Sequence, residues 1–404
     1  MTLPVPRFRI RTRMAARDTE EPHRTSSPLE LLFDLTFVVA VAQVADELAK
    51  KIDAGFALQG IVPFVMVFFA IWWAWLNFTW FASAYDSDDV IYRLLTLLQM
   101  GGVLVLAAAV PAAFEHQNYL VMTLGYVIMR IALVAQWVRA AIENPAGRTT
   151  AVRYAVGVTV TQLLWLGRLL LPTDARDQWW SVYLAFAVLV VLEGIVPYWA
   201  ERTGMTTWHP HHIAERYGLF TIILLGETIA VLAAGNSEVI TAGDRIGPLI
   251  AVAVSALVLI FGLWWLYFLQ PAGAGLEAHR EGSFVWGYGH YFVFAGLGAL
   301  GAGLQVVVTF AGGHSSLDPA VVVWVVAIPV AIYLVSLVVT HLRILPGIIV
   351  HVWIIAPTVL LILLLPLLVP TIGAIPVFAL ITVVVAGAVA ATLALGRRRF
   401  GVEA

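Results

Sequence analysis

Residues 27–49 read SPLELLFDLTFVVAVAQVADELA. The stretch is apolar enough to lie in a bilayer, yet it carries Glu30 and Asp34 near its start. About 20 residues at about 1.5 Å each cross the ~30 Å hydrocarbon layer. Residues four apart lie on neighbouring positions of one helix face. A charge at the centre of a lone helix in lipid costs roughly 3 kcal/mol, so such residues turn towards protein or water. The stretch therefore reads as a membrane-spanning helix with an acidic inward face at one end.

The same reading extends along the chain. Of 404 residues, 61% are hydrophobic and only 12% charged, and the mean hydropathy is +0.90. A soluble domain cannot cover its surface at that composition. The fold class is all-α, a polytopic transmembrane helical bundle. Twelve spans are expected near 28–49, 57–80, 93–112, 118–140, 151–171, 179–200, 211–234, 247–270, 284–310, 320–340, 345–366 and 370–395. Breaks such as AYDSDD, ENPAGR and GGHSSLDP carry loop chemistry. The weakest break, PLLVPTIGAIP, has no charge. A merger there lowers the count to eleven or ten.

Basic residues orient the bundle. With the N-terminus in the cytoplasm, inner segments hold about 16 arginines, and outer loops hold about four basic residues, Lys50, Lys51, Arg176 and Arg245. Both termini are thus expected on the cytoplasmic side. The chain divides into a cytoplasmic Arg-rich tail (1–27), a first transmembrane half (28–205), a second half (206–396) and a basic tail (397–404). RFRIRTRMAARDTEEPHRTS (7–26) has no apolar h-region and is not a signal peptide. It reads as a mobile tail whose arginines sit near anionic headgroups. The two halves resemble a parallel duplication of six helices. IWWAWL (71–76) matches LWWLYF (263–268), and Glu30 matches Glu215.

Ionisable residues inside spans are the functional candidates. Glu30 and Asp34 read either as a proton or cation site at the cytoplasmic mouth, or as carboxylates held by the helix N-terminus and a neighbouring arginine. The seventh span, HPHHIAERYGLFTIILLGETIAVLAAG, places Arg216 and Glu227 eleven residues apart on nearly one face. Glu227 is expected near mid-membrane, with Gly226 permitting close backbone approach. Arg130 in the fourth span needs a carboxylate partner, and Asp34, Glu193 and Glu227 are the choices. Arg168 reads as a snorkelling structural residue. Asp86, Asp88 and Asp89 read as a solvated turn or a cation vestibule.

Other motifs point away from soluble chemistry. Cys is absent, so disulfides, thiol catalysis and Cys-ligated metals are excluded. GLGALG (296–301) lies in an apolar span with no strand before it, so its small residues serve helix packing rather than nucleotide binding. His212 and Glu215, three apart, are weak metal candidates beside otherwise solvated histidines. The tryptophans of IWWAWLNFTWF fit an interfacial aromatic belt. No H-E-x-x-H, G-x-S-x-G or Walker pattern is present, and no enzyme activity or cofactor is expected.

PLELLFDLTFVVAVAQVADELA and AERYGLFTIILLGETIAVLAAG together resemble the bacterial low-temperature-requirement protein A family. The first matches at Glu30, Leu31, Phe33, Asp34, Leu35, Phe37, Val38 and Ala40. The second matches at Glu215, Arg216, Gly218, Leu219, Phe220, Ile222, Ile223, Leu225, Gly226, Glu227 and Ile229. The resemblance implies a polytopic membrane protein of bacterial type. It implies no activity, because the family name records a growth phenotype.

The leading expectation is a proton- or ion-coupled secondary transporter. Asp34 and Glu227 would carry the ion, Arg130 and Arg216 would balance them or bind an anionic group, and Glu30 and Glu215 would line the cytoplasmic mouth. Its partners would be the lipid bilayer and a small solute or ion, with no nucleic acid. A channel, a non-transporting sensor or scaffold, and a metal-dependent intramembrane enzyme are the alternatives.

Overall fold

Each apolar run forms a helix because a backbone in lipid must satisfy its own hydrogen bonds. The computed structural model describes residues 10–19, 21, 24–171, 179–242, 246–345 and 349–400. Twelve long helices run through them: α1 (Pro28–Asp53), α2 (Ala57–Tyr85), α3 (Val90–Ala108, continued over Val110–His116), α4 (Leu120–Glu143), α5 (Arg148–Arg168), α6 (Trp179–Glu201), α7 (Pro210–Ala242), α8 (Ile246–Phe268), α9 (Ser283–Ala311), α10 (Pro319–His341), α11 (Ile349–Leu364, extended to Ile372) and α12 (Ala374–Phe400). Eleven are long and apolar enough to cross a membrane. The twelfth, α5, has the length, but three arginines, Gln162 and four threonines lower its hydropathy. It packs between α4 and α6.

Helix α1 shows how the sequence sorts its faces. Ser27 and Glu30 form a capping box: the Glu30 amide donates to Ser27 Oγ at 3.3 Å, and the Ser27 amide donates to Glu30 Oε2 at 2.8 Å. Pro28 occupies the first helical position, where its missing N–H costs nothing. Phe33, Phe37, Ala40 and Val44 are fully buried, whereas Leu32, Leu35 and Val39 lie about half exposed, facing outward where lipid would lie.

The chain folds into two compact units, Met1–Ala40 with Phe69–Arg216, and Val41–Phe68 with Tyr217–Ala404. These differ in composition from the consecutive halves 28–205 and 206–396, because the unit boundaries fall inside α1, α2 and α7. In the first unit α3, α4, α5 and α6 pack each on the next; in the second α9, α10, α11 and α12 do the same. The tryptophan pairs that suggested duplication differ in environment. Trp72 and Trp73 are 3% and 2% exposed, Trp264 and Trp265 41% and 44%.

Glycines act at two places. In α9 a Cβ on Gly296 would lie 3.2 Å from the Pro329 carbonyl oxygen, and one on Gly303 would lie 2.2 Å from that of Val325, so small residues set the α9–α10 approach. At the charge-free break, Gly373 adopts φ 84°, ψ 167°, a region essentially reserved for glycine. This single residue turns α11 into α12, which pack together, so the last two spans do not merge. Gly373→Ala is expected to lower stability by about 1–3 kcal/mol, read as a fall in the thermal unfolding midpoint in detergent.

The described part of the N-terminal tail is not free, which corrects the expectation of a mobile, lipid-facing segment. Its arginines find acceptors within the protein. Arg11 donates to Glu143 Oε1 at 2.7 Å, Arg13 to the Glu143 carbonyl at 2.8 Å, and the Met14 amide to Glu143 Oε2 at 2.6 Å. Met14 is fully buried. The Thr12 amide donates to Asp89 Oδ2 at 2.8 Å, and Arg24 donates to the carbonyls of Ala82, at 2.8 Å, and Ser83. The acidic turn is accordingly divided: Asp88 is exposed, as a solvated turn requires, whereas Asp89 is buried. Asp89 caps α3 and pairs with Arg139 at 2.5 Å, and Asp88 pairs with Arg93 at 2.8 Å. Tail residues 1–9, 20, 22 and 23, the loop arginines 176 and 245, and residues 401–404 lie outside the described residues.

Asp86, beside the attached tail, gives the stability of the fold a pH dependence. Burial pushes its carboxyl up to about 6; the charge of Glu30 adds to the rise and Arg24 and Arg17 oppose it. Its ordinary value is 3.8, so the folded state holds an extra proton between the two values. That contribution is complete below about pH 4 and is lost as pH rises through about 6. Asp86→Asn is expected to flatten the decline of the unfolding midpoint between about pH 4 and 6, measured by thermal unfolding in detergent.

Candidate functional site

The acidic start of α1 meets the start of α7 within the first unit. Residues 212 and 216 lie one turn apart on α7, so His212 and Arg216 project together towards Glu30 and Asp34. Arg216 Nε and Nη2 donate to Asp34 Oδ2 and Oδ1 at 3.1 and 2.5 Å, and Nη1 donates to Glu30 Oε1 at 2.9 Å. Trp75 of α2 donates its indole N–H to Asp34 Oδ1 at 2.7 Å. His212 Nε2 lies 3.2 Å from Glu30 Oε1. All five side chains are at most 1% exposed. The two carboxylates and the planar guanidinium form a closed clamp in which all three guanidinium nitrogens are used. Glu30 serves twice, completing the cap of α1 and binding α7. Of the two readings of Asp34, the geometry matches the carboxylate held by a neighbouring arginine.

Glu215 stands aside, half-buried, accepting the Ser26 amide at 3.3 Å. His212 and Glu215 are therefore not brought onto one ligand, and the expectation of solvated histidines fails for His212 and His209, which are 0% and 6% exposed. Among the described residues no group of three or more His, Asp or Glu could hold a metal ion.

A second buried group lies deeper in the same unit. Of the three carboxylates open to Arg130, the fold selects Glu193 of α6, with Nη2 to Oε2 at 3.7 Å. The carboxylate accepts from Trp73 at 2.7 Å, Tyr126 at 3.1 Å and Trp165 at 3.2 Å. Trp73 and Trp75 are thus interior donors rather than members of an aromatic belt. Residues 73 and 75 feed two different buried carboxylates, which explains the tryptophan-rich stretch of α2.

Glu227 lies elsewhere. It lines a cavity of about 350 Å³ within the second unit, with Gln43 and Asp46 of α1, Thr228 of α7 and Gln305 of α9 as its other polar walls. The lining includes neither Asp34 nor Arg216. Asp46 is braced by Gln305 at 3.1 Å and Lys50 at 2.7 Å. Glu227 is half-buried, and among the described residues its carboxylate has no hydrogen-bond or ion-pair partner. Gly226 does not allow a close helix approach there, since a Cβ on it would meet open space. The sequence reading missed Asp46 and Gln43 as site residues. Their spacing of three on α1 was the available signal.

The family comparison agrees with the motifs that meet here. A family model described as "Bacterial low temperature requirement A protein (LtrA)" matches residues 25–391. Uncharacterized protein RA0937 of Rhizobium meliloti (strain 1021) is 28% identical over 300 residues, 71% of this chain and 70% of that protein. The chain belongs to the bacterial low temperature requirement A family.

Proposed function

We propose that this member of the low temperature requirement A family is a proton- or small-cation-coupled secondary transporter of the bacterial inner membrane, with both termini cytoplasmic. The observation that carries the reading is the Glu227 carboxylate, unpaired among the described residues, in the 350 Å³ cavity beside Asp46. Two carboxylates, two amides and a hydroxyl offer oxygen ligands, the chemistry that suits protons and hard cations. An intramembrane acid with no basic partner is a costly feature unless something exchanges on it. In this scheme Glu227 carries the ion and Asp46, braced by Lys50, shares its charge. Asp34, Glu30 and Arg216 hold α1 to α7 rather than carry ions, and Glu215 helps to anchor the tail. A six-plus-six duplication fits the matching packing order of α3–α6 and α9–α12.

The test is transport by the purified protein. Liposomes loaded with a pH-sensitive dye receive an imposed pH or sodium gradient. The expected result is a dye response faster than in protein-free vesicles, stopped by a hydrophobic carbodiimide that modifies carboxyl groups. Rates equal to those of protein-free vesicles under both gradients would overturn the proposal.

A further inference from the structure

The two buried arginines of the first unit are satisfied very differently. Arg216 spends its donors on two carboxylates. Among the described residues Arg130, 1% exposed, hydrogen-bonds directly only to the Tyr126 hydroxyl. Its nearest carboxylate, Glu193, stands 3.7 Å away and is already occupied by three neutral donors. Nε and Nη1 of Arg130 have no partner among the described residues. A guanidinium presents five N–H donors and no acceptor, and leaving charged donors unmet in a low-dielectric interior is costly.

The facing helix repeats the deficit. Gln162 of α5 is 6% exposed, and both its amide oxygen and its amide nitrogen lack a partner among the described residues. Helices α4 and α5 are joined by a short loop and pack together. Tyr126 faces Trp165, with ring centroids 6.1 Å apart, and Trp137 stacks on Tyr154 at 4.1 Å. Both pairs keep one antiparallel register, which sets residue 130 opposite 161 and 162. Six residues beyond Gln162 on α5, Arg168 is 8% exposed, with one guanidinium nitrogen unpartnered and no acidic partner among the described residues. Among those residues the group therefore holds two guanidinium charges against one carboxylate.

We propose that Arg130 and Gln162 form a buried site for a small monovalent anion of halide or carboxylate size, and that the charge of Arg168, which no carboxylate among the described residues balances, draws it in. The anion accepts from Arg130 Nε and Nη1 and from the Gln162 amide nitrogen. The site is separate from the Glu227 cavity and does not rest on the transport reading. Neutral water could fill the same donors, but it would leave the excess charge among the described residues unbalanced.

The experiment follows the thermal unfolding midpoint of the full-length protein in detergent while chloride replaces gluconate at constant ionic strength. The wild type and Glu227→Gln are expected to show the same saturable rise. In Gln162→Leu the apparent chloride affinity is expected to fall about tenfold or more, the worth of a hydrogen bond to a charged group. Gln162→Glu places a fixed carboxylate beside Arg130. It is expected to abolish the chloride response while raising the midpoint in gluconate to at least the chloride-saturated wild-type level. No chloride response in the wild type, or an undiminished response in both Gln162 variants, would overturn the proposal and leave the donors to water.

Discussion

Arg216→Met is expected to destabilise the protein by about 3–5 kcal/mol, the cost of removing one partner from a buried ion pair. The substitution roughly keeps the volume and removes the three nitrogens that donate to the carboxylates. Asp34 and Glu30 then remain at most 1% exposed with no cation against either. Trp75 and His212 cannot replace a bidentate guanidinium, because each offers one N–H to one carboxylate. The same logic predicts rescue. A triple variant carrying Asp34→Asn and Glu30→Gln as well removes the charges that were stranded, and replacing a whole buried ion group by neutral residues is often close to neutral. Unfolding midpoints and the yield of monodisperse protein in detergent measure both effects. If Arg216→Met alone unfolds like the wild type, the clamp does not hold α1 to α7.

Glu227→Gln is expected to have the opposite profile. Transport falls to the rate of protein-free vesicles, while stability stays within about 0.5 kcal/mol of the wild type. The side chain has no hydrogen bond or ion pair to lose among the described residues, and glutamine has the same shape. What is lost is the exchangeable charge in the cavity. Asp46→Asn is expected to slow transport without abolishing it and to cost some stability, because Asp46 is tied to Gln305 and Lys50. A Glu227→Gln protein that is folded and transports like the wild type would remove Glu227 from the mechanism.

Much of the fold was legible because lipid imposes one rule on every helix. Apolar runs of spanning length became helices at each of the twelve places expected, and even α5, too polar by hydropathy, had its length and loops to mark it. Legible too, though unread, was the S-x-x-E capping box at 27–30, which ties Glu30 to its own helix start. The partner of Arg130 was not legible. Sequence showed three acids at plausible depths, and only the fold, which brings Glu193 of α6 to within 3.7 Å of Arg130 of α4, selects among them. Nor could sequence tell an indole facing lipid headgroups from one donating to a buried carboxylate. Trp73 and Trp75 look like an aromatic belt until their acceptors are placed. The tail misled for a related reason. Arginines before a first span suit anionic lipid, and only the fold reveals Glu143 and the Ala82 and Ser83 carbonyls as acceptors.

The central claim is that the family's signature acids divide into a locked clamp and an ion-accessible site. Mapping carboxyl reactivity tests it most directly. The folded protein in native-like membranes is treated with a hydrophobic carbodiimide, and modified residues are located by peptide mass spectrometry. The account predicts modification at Glu227, absent in Glu227→Gln, with Glu30 and Asp34 protected until the protein is denatured. Labelling of Asp34 or Glu30 in the folded protein, with Glu227 unmodified, would contradict it.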